Sequence, residues 1–535
     1  MSGFVRFAAM AAVASVAAAC STPVPQALKP QDVPPAFTGP LAPGASLWPN
    51  PDWWKNFSSD ELSGLVGTAQ TDNLDVAVAM TNVLQAEANR DIVRSELFPS
   101  FALQGTAQRT RVPGSTITTV TGQTLNTSFT TNTFGLTLNG TYYADIWGLA
   151  RDNLRAAQEA LKSSLFAQQE VALTTTAGVA DTYFAILAIR QEEGIIQQNI
   201  DAAERVLTIT RAKVTNGVSS QLDLSQQEAT VYGQEAALPL LRQQESEQLH
   251  ALAIFLGRAP EGFNVAGQNL DAVKSPMVVP GLPSALIERR PDIAQAEANL
   301  ASAHANVDAA RAQFFPQISL TGDGGFASTA IGTLLHASNL EWSIGASALQ
   351  TVFDGGKLIG QSDLAKAEEL GLIATYRKTV LSAFSGVETS LSQVANFTDE
   401  VDALQKEVTA SANAFRISEL QYREGIADLL SVLQAQQALF TAQNQLMLAK
   451  LQRFQAIVGL YTTLGGGWSE NPEDVTQPPL LQSAAAAAAP AAQPVAAPSG
   501  SSAVPPASAP PAPPPSPSSS PPAPPPPSPS PPAKG

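Results

Sequence analysis

The sequence predicts an α+β membrane protein in which a sheet of four bilayer-length strands per chain continues into a bundle of very long helices, the whole unit being internally duplicated. Three observations predict it. The stretches Leu149 to Thr215 and Lys357 to Glu424 contain no proline and are dominated by Ala, Leu, Gln and Glu, all good helix formers. At 1.5 Å per residue each makes a rod of roughly 100 Å, some three times the apolar thickness of a membrane. Four shorter segments alternate apolar and polar residues over about ten positions, the length that crosses a bilayer at a tilt. Finally, "VTNGVSSQLDLSQQEATV" from Val214 aligns with "YREGIADLLSVLQAQQAL" from Tyr422 at an offset of 208, which places Gly217 opposite Gly425 and carries Leu256-Gly257 onto Leu464-Gly465.

In chain order, residues 1–19 have one early positive charge, Arg6, then an apolar stretch, then small residues, the pattern of a secretory signal peptide. Cys20 follows directly and is the only cysteine, so no internal disulfide can form. Its position resembles a bacterial lipoprotein box, with Ala17 where leucine is usual, and it is the expected lipidation site. Acyl chains stabilise membrane attachment by roughly 0.8 kcal/mol per buried CH2. Ser21 is a neutral residue of the kind that accompanies outer-membrane sorting. Residues 20–52 are read as a lipidated linker.

The first repeat is expected over 53–257, with strands at about 99–110 and 130–145 and a helical hairpin over 149–256. Phe101, Leu103 and Gly105 alternate with Ala102 and Gln104, and Phe134, Leu136 and Leu138 alternate with Gly135, Thr137 and Asn139. A Thr-rich, nearly charge-free loop lies between, and "DIWG" from Asp145 ends the second strand. A connecting segment, 258–283, leads to the second repeat, 284–468, with strands at about 317–327 and 341–353 and a hairpin over 357–464. Pro291 suits a first helical position and Asp292 the positive end of a helix. In "RAQFFPQISLTG" from Arg311, Pro316 forbids further helix and biases Phe315 toward extended backbone. Ile318, Leu320 and Gly322 alternate, as do Trp342, Ile344, Ala346 and Ala348, and aromatics such as Phe98, Tyr142, Phe314 and Phe353 stand at the strand ends. Four strands cannot close a barrel, for which about eight is the practical minimum, so the chain must oligomerise to span. Residues 469–535 are nearly all Pro, Ala and Ser and predict a disordered tail.

The return arms carry heptads, which imply left-handed supercoiling. Val432, Leu439, Leu446 and Leu460 form one seam, interrupted at Arg453; Leu433, Phe440, Met447, Phe454 and Tyr461 form a second; Leu224, Val231, Leu238 and Leu252 repeat the spacing, interrupted at Glu245. Two seams suit a helix with a neighbour on each side. Pro239 predicts a kink. By length, the helical segments up to Leu256 and from Ser284 to Phe315 would stack into one arm beside the first rod, and Ile426 to Leu464 would be completed by Glu61 to Leu97.

A formal net charge of -16 argues against nucleic acid. No apolar run of 18 residues follows the signal, so no membrane-spanning helix is expected. The chain carries no metal-spaced His/Cys set, nucleophile elbow or phosphate-binding loop, and His250, His304 and His336 are scattered. No enzyme, catalytic residue, metal or cofactor is expected. A lipid-anchored periplasmic coiled-coil scaffold or adaptor would explain the helices and Cys20, but not four strands placed symmetrically in two copies.

The block "LPSALIERRPDIAQAEANLASAHANVDAARAQFFPQISLTG" from Leu282, with "WWKNF" from Trp53 and the repeated strand exits, resembles the outer-membrane efflux proteins of the TolC and OprM type, lipoprotein branch, over about Trp53 to Trp468. The resemblance implies a homotrimer with a 12-stranded barrel above a helical tunnel in the periplasm, working as a passive conduit in the outer membrane. It implies two partners, a periplasmic adaptor and an inner-membrane RND-type pump. It places the gate and the adaptor contact at the hairpin turns, around Gly217 and Gly425. Carried over by position, Tyr422 matches a tyrosine of the family's inter-helix links and Asp223 an aspartate of its aperture. Ala427 stands at the linking arginine's position, and Ser431 and Gln434 at those of the second-copy aspartates, which leaves Arg423, Glu424 and Asp428 as candidate substitutes.

Overall fold

The computed structural model describes residues 33–34, 36–38, 50–113, 116–118, 124–126, 129–276 and 283–466 of the chain. The expected signal peptide, Cys20 and the Pro-rich tail lie outside the described residues.

The helices, in chain order, are α1 (Asp60–Asp72), α2 (Leu74–Ser95), α3 (Leu149–Thr215), α4 (Gln221–Phe255), α5 (Pro283–Glu288), α6 (Pro291–Ala312), α7 (Lys357–Arg423) and α8 (Leu429–Thr463). The strands are β1 (Ser100–Val112), β2 (Thr116–Thr118), β3 (Thr124–Asn126), β4 (Phe129–Ala144), β5 (Gln317–Ser328) and β6 (Leu340–Leu349). The rods α3 and α7 are 67 residues each. Both start after a left-handed glycine, Gly148 or Gly356. Both are primed by an aspartate: Asp145 accepts from the N–H groups of Ala150 and Arg151, each at 3.1 Å, and Asp354 from those of Gly356 and Leu358, each at 2.9 Å. These bonds satisfy donors that a helix start leaves unpaired.

Strands β1, β4, β5 and β6 form one antiparallel sheet in that order, and β2 pairs with β3 separately. The register sorts side chains by face, because successive residues of a strand point to opposite sides. Leu103 faces Leu138, Leu136 faces Phe326, Phe326 faces Leu340, and Gly322 faces Ile344. Phe101, Phe134, Tyr142, Ile318, Leu320 and Trp342 share that parity. The opposite face carries Gln104, Thr106, Thr137, Asn139, Thr141, Ser319, Thr321, Asp323, Glu341 and Ser343. One face is thus apolar and the other polar, as for a membrane barrel with a wet interior. At the base, Trp147 stacks on Phe315 at 4.9 Å and donates to the Pro316 carbonyl at 2.8 Å, tying the end of one strand to the start of the next.

Nearest the sheet the helices lie side by side in the order α2, α3, α6, α7; at the far end the order is α4, α3, α8, α7. This corrects the stacking expected from lengths. The end of α4 meets the start of α2, where the Asn73 side chain caps Val76 and donates to the Phe255 carbonyl at 2.9 Å. The end of α8 meets the start of α6, where the Arg290 guanidinium donates to the Thr463 carbonyl at 2.6 Å. Phe255 and Thr463 are 208 residues apart, so the joint is itself duplicated. Lengths alone cannot distinguish the two pairings, and the joints decide.

Helix α8 lies between α3 and α7, and both of its seams are filled: Val432, Leu439, Leu446 and Leu460 are buried, as are Phe440, Met447, Phe454 and Tyr461. Helix α4 has α3 alone as a lengthwise neighbour and buries Val231, Leu241 and Leu252. It runs helically through Pro239, which sits on its exposed side. Both heptad interruptions have uses: Glu245 pairs with Arg190 at 2.6 Å, and the Arg453 guanidinium lies 5.9 Å from the Phe454 ring. Midway along the rods the largest core gathers Trp53, Phe57, Phe184, Leu252, Phe454 and Tyr461, with Trp53 stacked on Tyr461 at 5.0 Å. A second core holds Leu286, Ile293, Val380 and Leu460 and also buries Phe37 of the expected linker. One window of α3 is long and apolar enough to cross a membrane by composition, and 56% of it is buried inside the structure.

Candidate functional site

Both rods end in the same backbone motif, and the gate candidates Asp223, Tyr422, Arg423 and Asp428 all lie at or beside these hairpin tips. After α3, the Val218 N–H bonds the Lys213 carbonyl at 2.8 Å and Gly217 takes a φ of 70°. After α7, the Ile426 N–H bonds the Gln421 carbonyl at 2.8 Å and Gly425 takes a φ of 77°. This is a Schellman ending, in which a left-handed glycine turns the chain sharply and satisfies the last carbonyls.

The next helix then begins with a carboxylate cap, built in mirror fashion. In the first tip Ser220 is the N-cap: its hydroxyl accepts from the Asp223 N–H at 3.1 Å, and the Asp223 carboxylate accepts from the Ser220 N–H at 2.9 Å and the Ser219 hydroxyl at 2.6 Å. In the second tip Asp428 is the N-cap and accepts from the N–H and hydroxyl of Ser431, at 2.9 and 2.6 Å. Position 428 corresponds to 220 and position 431 to 223, so Ser and Asp have exchanged places. The second-copy carboxylate has therefore moved one helical turn while keeping its capping duty. The Ser219 hydroxyl and Ser220 N–H hold Asp223 below the usual carboxylate range. Bonds from Ser431 do the same for Asp428, against an opposing push from the charge on Asp223.

Tyr422 does not meet Asp223. It is 3% exposed, and its hydroxyl lies 3.1 Å from that of Thr210 on α3. Lys213, also on α3, donates to the Tyr422 carbonyl and places its ammonium 4.4 Å from the centre of the Tyr422 ring. Thr210, Lys213 and Tyr422 thus form a joint between the two hairpins. Arg423 stays outside it, lying 3.8 Å from Glu419 one turn back. Glu419 also faces Arg205 of α3 at 3.8 Å. Nothing in the spacing of Thr210 and Lys213 signals that the end of α3 reaches Tyr422 at the end of α7. Beyond the caps each tip shows an apolar pair at equivalent positions: Val218 and Leu222 (73% and 65% exposed) and Ile426 and Leu430 (76% and 58%).

The open edges matter as much as the tips. β1 and β6 are the sheet's outer strands and are exposed along their whole length. On the same two sides, α2 and α4 show Leu74, Val78, Tyr232 and Leu240, and α7 shows Ile359, Leu364, Leu370 and Leu381, all exposed.

The model of the family described as outer membrane efflux protein matches residues 65–258 and 282–466. A pyoverdine export outer membrane protein, OpmQ of Pseudomonas aeruginosa, is 35% identical over 422 residues, covering 78% of this chain and 88% of that relative. A toluene efflux pump outer membrane protein, TtgC of Pseudomonas putida, is 31% identical over 459 residues, covering 83% and 94%. The solved structure of the outer-membrane channel OprN superposes with a TM-score of 0.75 at 25% identity, covering 84% of this chain and 98% of that one.

Proposed function

The chain belongs to the outer membrane efflux protein family and is an outer-membrane channel component of an efflux pump, and from that premise we propose that it works as a passive homotrimeric exit duct. Three copies joined edge to edge, β1 of one beside β6 of the next, give 12 strands and close the barrel that four cannot. The same closure covers the apolar rows of α2, α4 and α7. The observation that carries this reading is that sheet and helical layer are open along the same two sides.

In this reading solutes pass down the tunnel and out along the polar face of the sheet. The tips form the gate. Asp223 and Asp428 line the aperture, the Thr210–Lys213–Tyr422 joint holds neighbouring hairpins together, and opening separates them. The apolar pairs beside Gly217 and Gly425 are the contact for a periplasmic adaptor, which links the duct to an inner-membrane pump of the RND type. Cys20 carries the lipid anchor. Relatives named for pyoverdine export and for toluene efflux both resemble this chain in sequence over most of its length, which supports a duct that takes its selectivity from its partners.

The test is electrophoresis of outer-membrane extracts. A heat-modifiable band at three times the monomer mass is expected, and it should persist in Cys20→Ser. Release of that variant from membranes would point instead to a lipid-anchored periplasmic scaffold.

A further inference from the structure

The barrel segments 97–144 and 312–353 contain four formally charged residues: Arg109, Arg111, Asp323 and Glu341. The register sorts them completely. Asp323 faces Asn139 and Glu341 faces Gly325, which puts both acids on the polar, lumen parity. Arg109 and Arg111 share the parity of Phe101 and Leu103 and therefore point outward.

Their height follows from the same register. The outward apolar row on β4 runs from Ala144 to Phe134, ten residue steps or about 34 Å along the strand. At a tilt of about 40° this spans ~26 Å of height, the depth of an outer-membrane apolar band. Phe134 lies opposite Ala107; Arg109 lies opposite Asn132 and Arg111 opposite Thr130. The two arginines thus stand one and two pleats above the band, at the level of the outer leaflet's headgroups. Both are exposed, as are Asn132 and Thr130, which add an amide and a hydroxyl on the same face. The loop that follows, 113–128, carries no carboxylate to compete for them.

We propose that Arg109 and Arg111, with Asn132 and Thr130, form a binding site for the phosphorylated headgroup of the outer-leaflet glycolipid. Guanidinium groups bind phosphate through paired, charge-assisted hydrogen bonds. Two of them about 7 Å apart on one strand can each take a phosphate oxygen edge. An outward cation is costly in hydrocarbon and tolerated at the interface, where lipid phosphates can pair with it. This inference rests on the outer-membrane barrel reading.

Protein extracted from outer membranes into detergent would be titrated with fluorescent diphosphorylated lipid A. Wild type should bind it at least ten times more tightly than R109Q/R111Q, R109K/R111K should fall between the two because an ammonium keeps the charge but loses the paired hydrogen bonds, and Arg416→Gln, on a periplasmic rod, should match wild type. Independently of any variant, wild type should lose the same tenfold toward lipid A stripped of its phosphates. Equal binding of the stripped lipid, unchanged binding by R109Q/R111Q, or equally tight binding of phosphatidylglycerol would each overturn the proposal. The heat-modifiable oligomer would survive those results, whereas its absence would remove the barrel reading as well.

Discussion

Lys213 touches Tyr422 across 209 residues of sequence, and a single ammonium there serves two purposes, a hydrogen bond to a carbonyl and a charge over an aromatic face. Each contributes about 1 kcal/mol at a partly buried site. Lys213→Met should therefore raise the resting conductance of the duct in planar bilayers by up to about thirtyfold, and unchanged conductance would remove Lys213 from the gate. Asp223→Ala should also leak if Asp223 lines the proposed aperture, since it removes that charge together with the N3 half of the capping box; a variant as tight as wild type would limit Asp223 to capping. Asp223 and Asp428 have folded pKa values below the ordinary 3.8. Their stabilising bonds are complete above that value and are lost as pH falls through the lower, folded one. Resting conductance should accordingly stay flat from pH 8 to pH 5 and rise only below about pH 4; a transition near pH 6 would implicate other groups. Of these residues the sequence exposed Asp223, Asp428 and Tyr422 through the repeat and the resemblance. It concealed Lys213 and Thr210, whose roles exist only where two distant hairpins adjoin.

At the scale of elements, duplicated joints govern how helices stack. Gly257 and Gly465 end α4 and α8 in left-handed conformation, and a Cβ on either would lie 2.2 Å from the Asp72 carbonyl oxygen or 1.9 Å from that of Arg289. Gly217 shares the conformation but faces open space. Gly217→Ala should cost only the conformational term, about 1 kcal/mol. Gly465→Ala must also push a helix end away from its neighbour and should lower the thermal midpoint by several degrees more. Equal midpoints would mean that the joint is slack. The sequence marked these glycines as repeated without showing their purpose, because a close approach between chain ends leaves no local signature. The heptads of α8 were legible as two seams, since a helix with two neighbours needs two apolar stripes.

For the whole molecule, the sorting of the sheet into faces is the testable claim. Ile344 lies on the apolar parity of β6 and Ser343 on the polar one. Ile344→Arg should lower oligomer stability by about 2–4 kcal/mol, the cost of a cation facing the bilayer midplane, and Ser343→Arg should leave it nearly unchanged. The temperature at which the oligomer dissociates in detergent measures both. Similar losses in the two variants would contradict the assigned faces.

By itself the sequence determined the duplication, the lengths of the rods and the four alternating strands, because helix propensity, period and proline act locally. The tertiary structure alone decided which short helix stacks on which, which cation joins the two hairpins, and which face each barrel charge occupies. Those depend on register and on contacts between segments some 200 residues apart, where local chemistry offers equal alternatives and packing selects one.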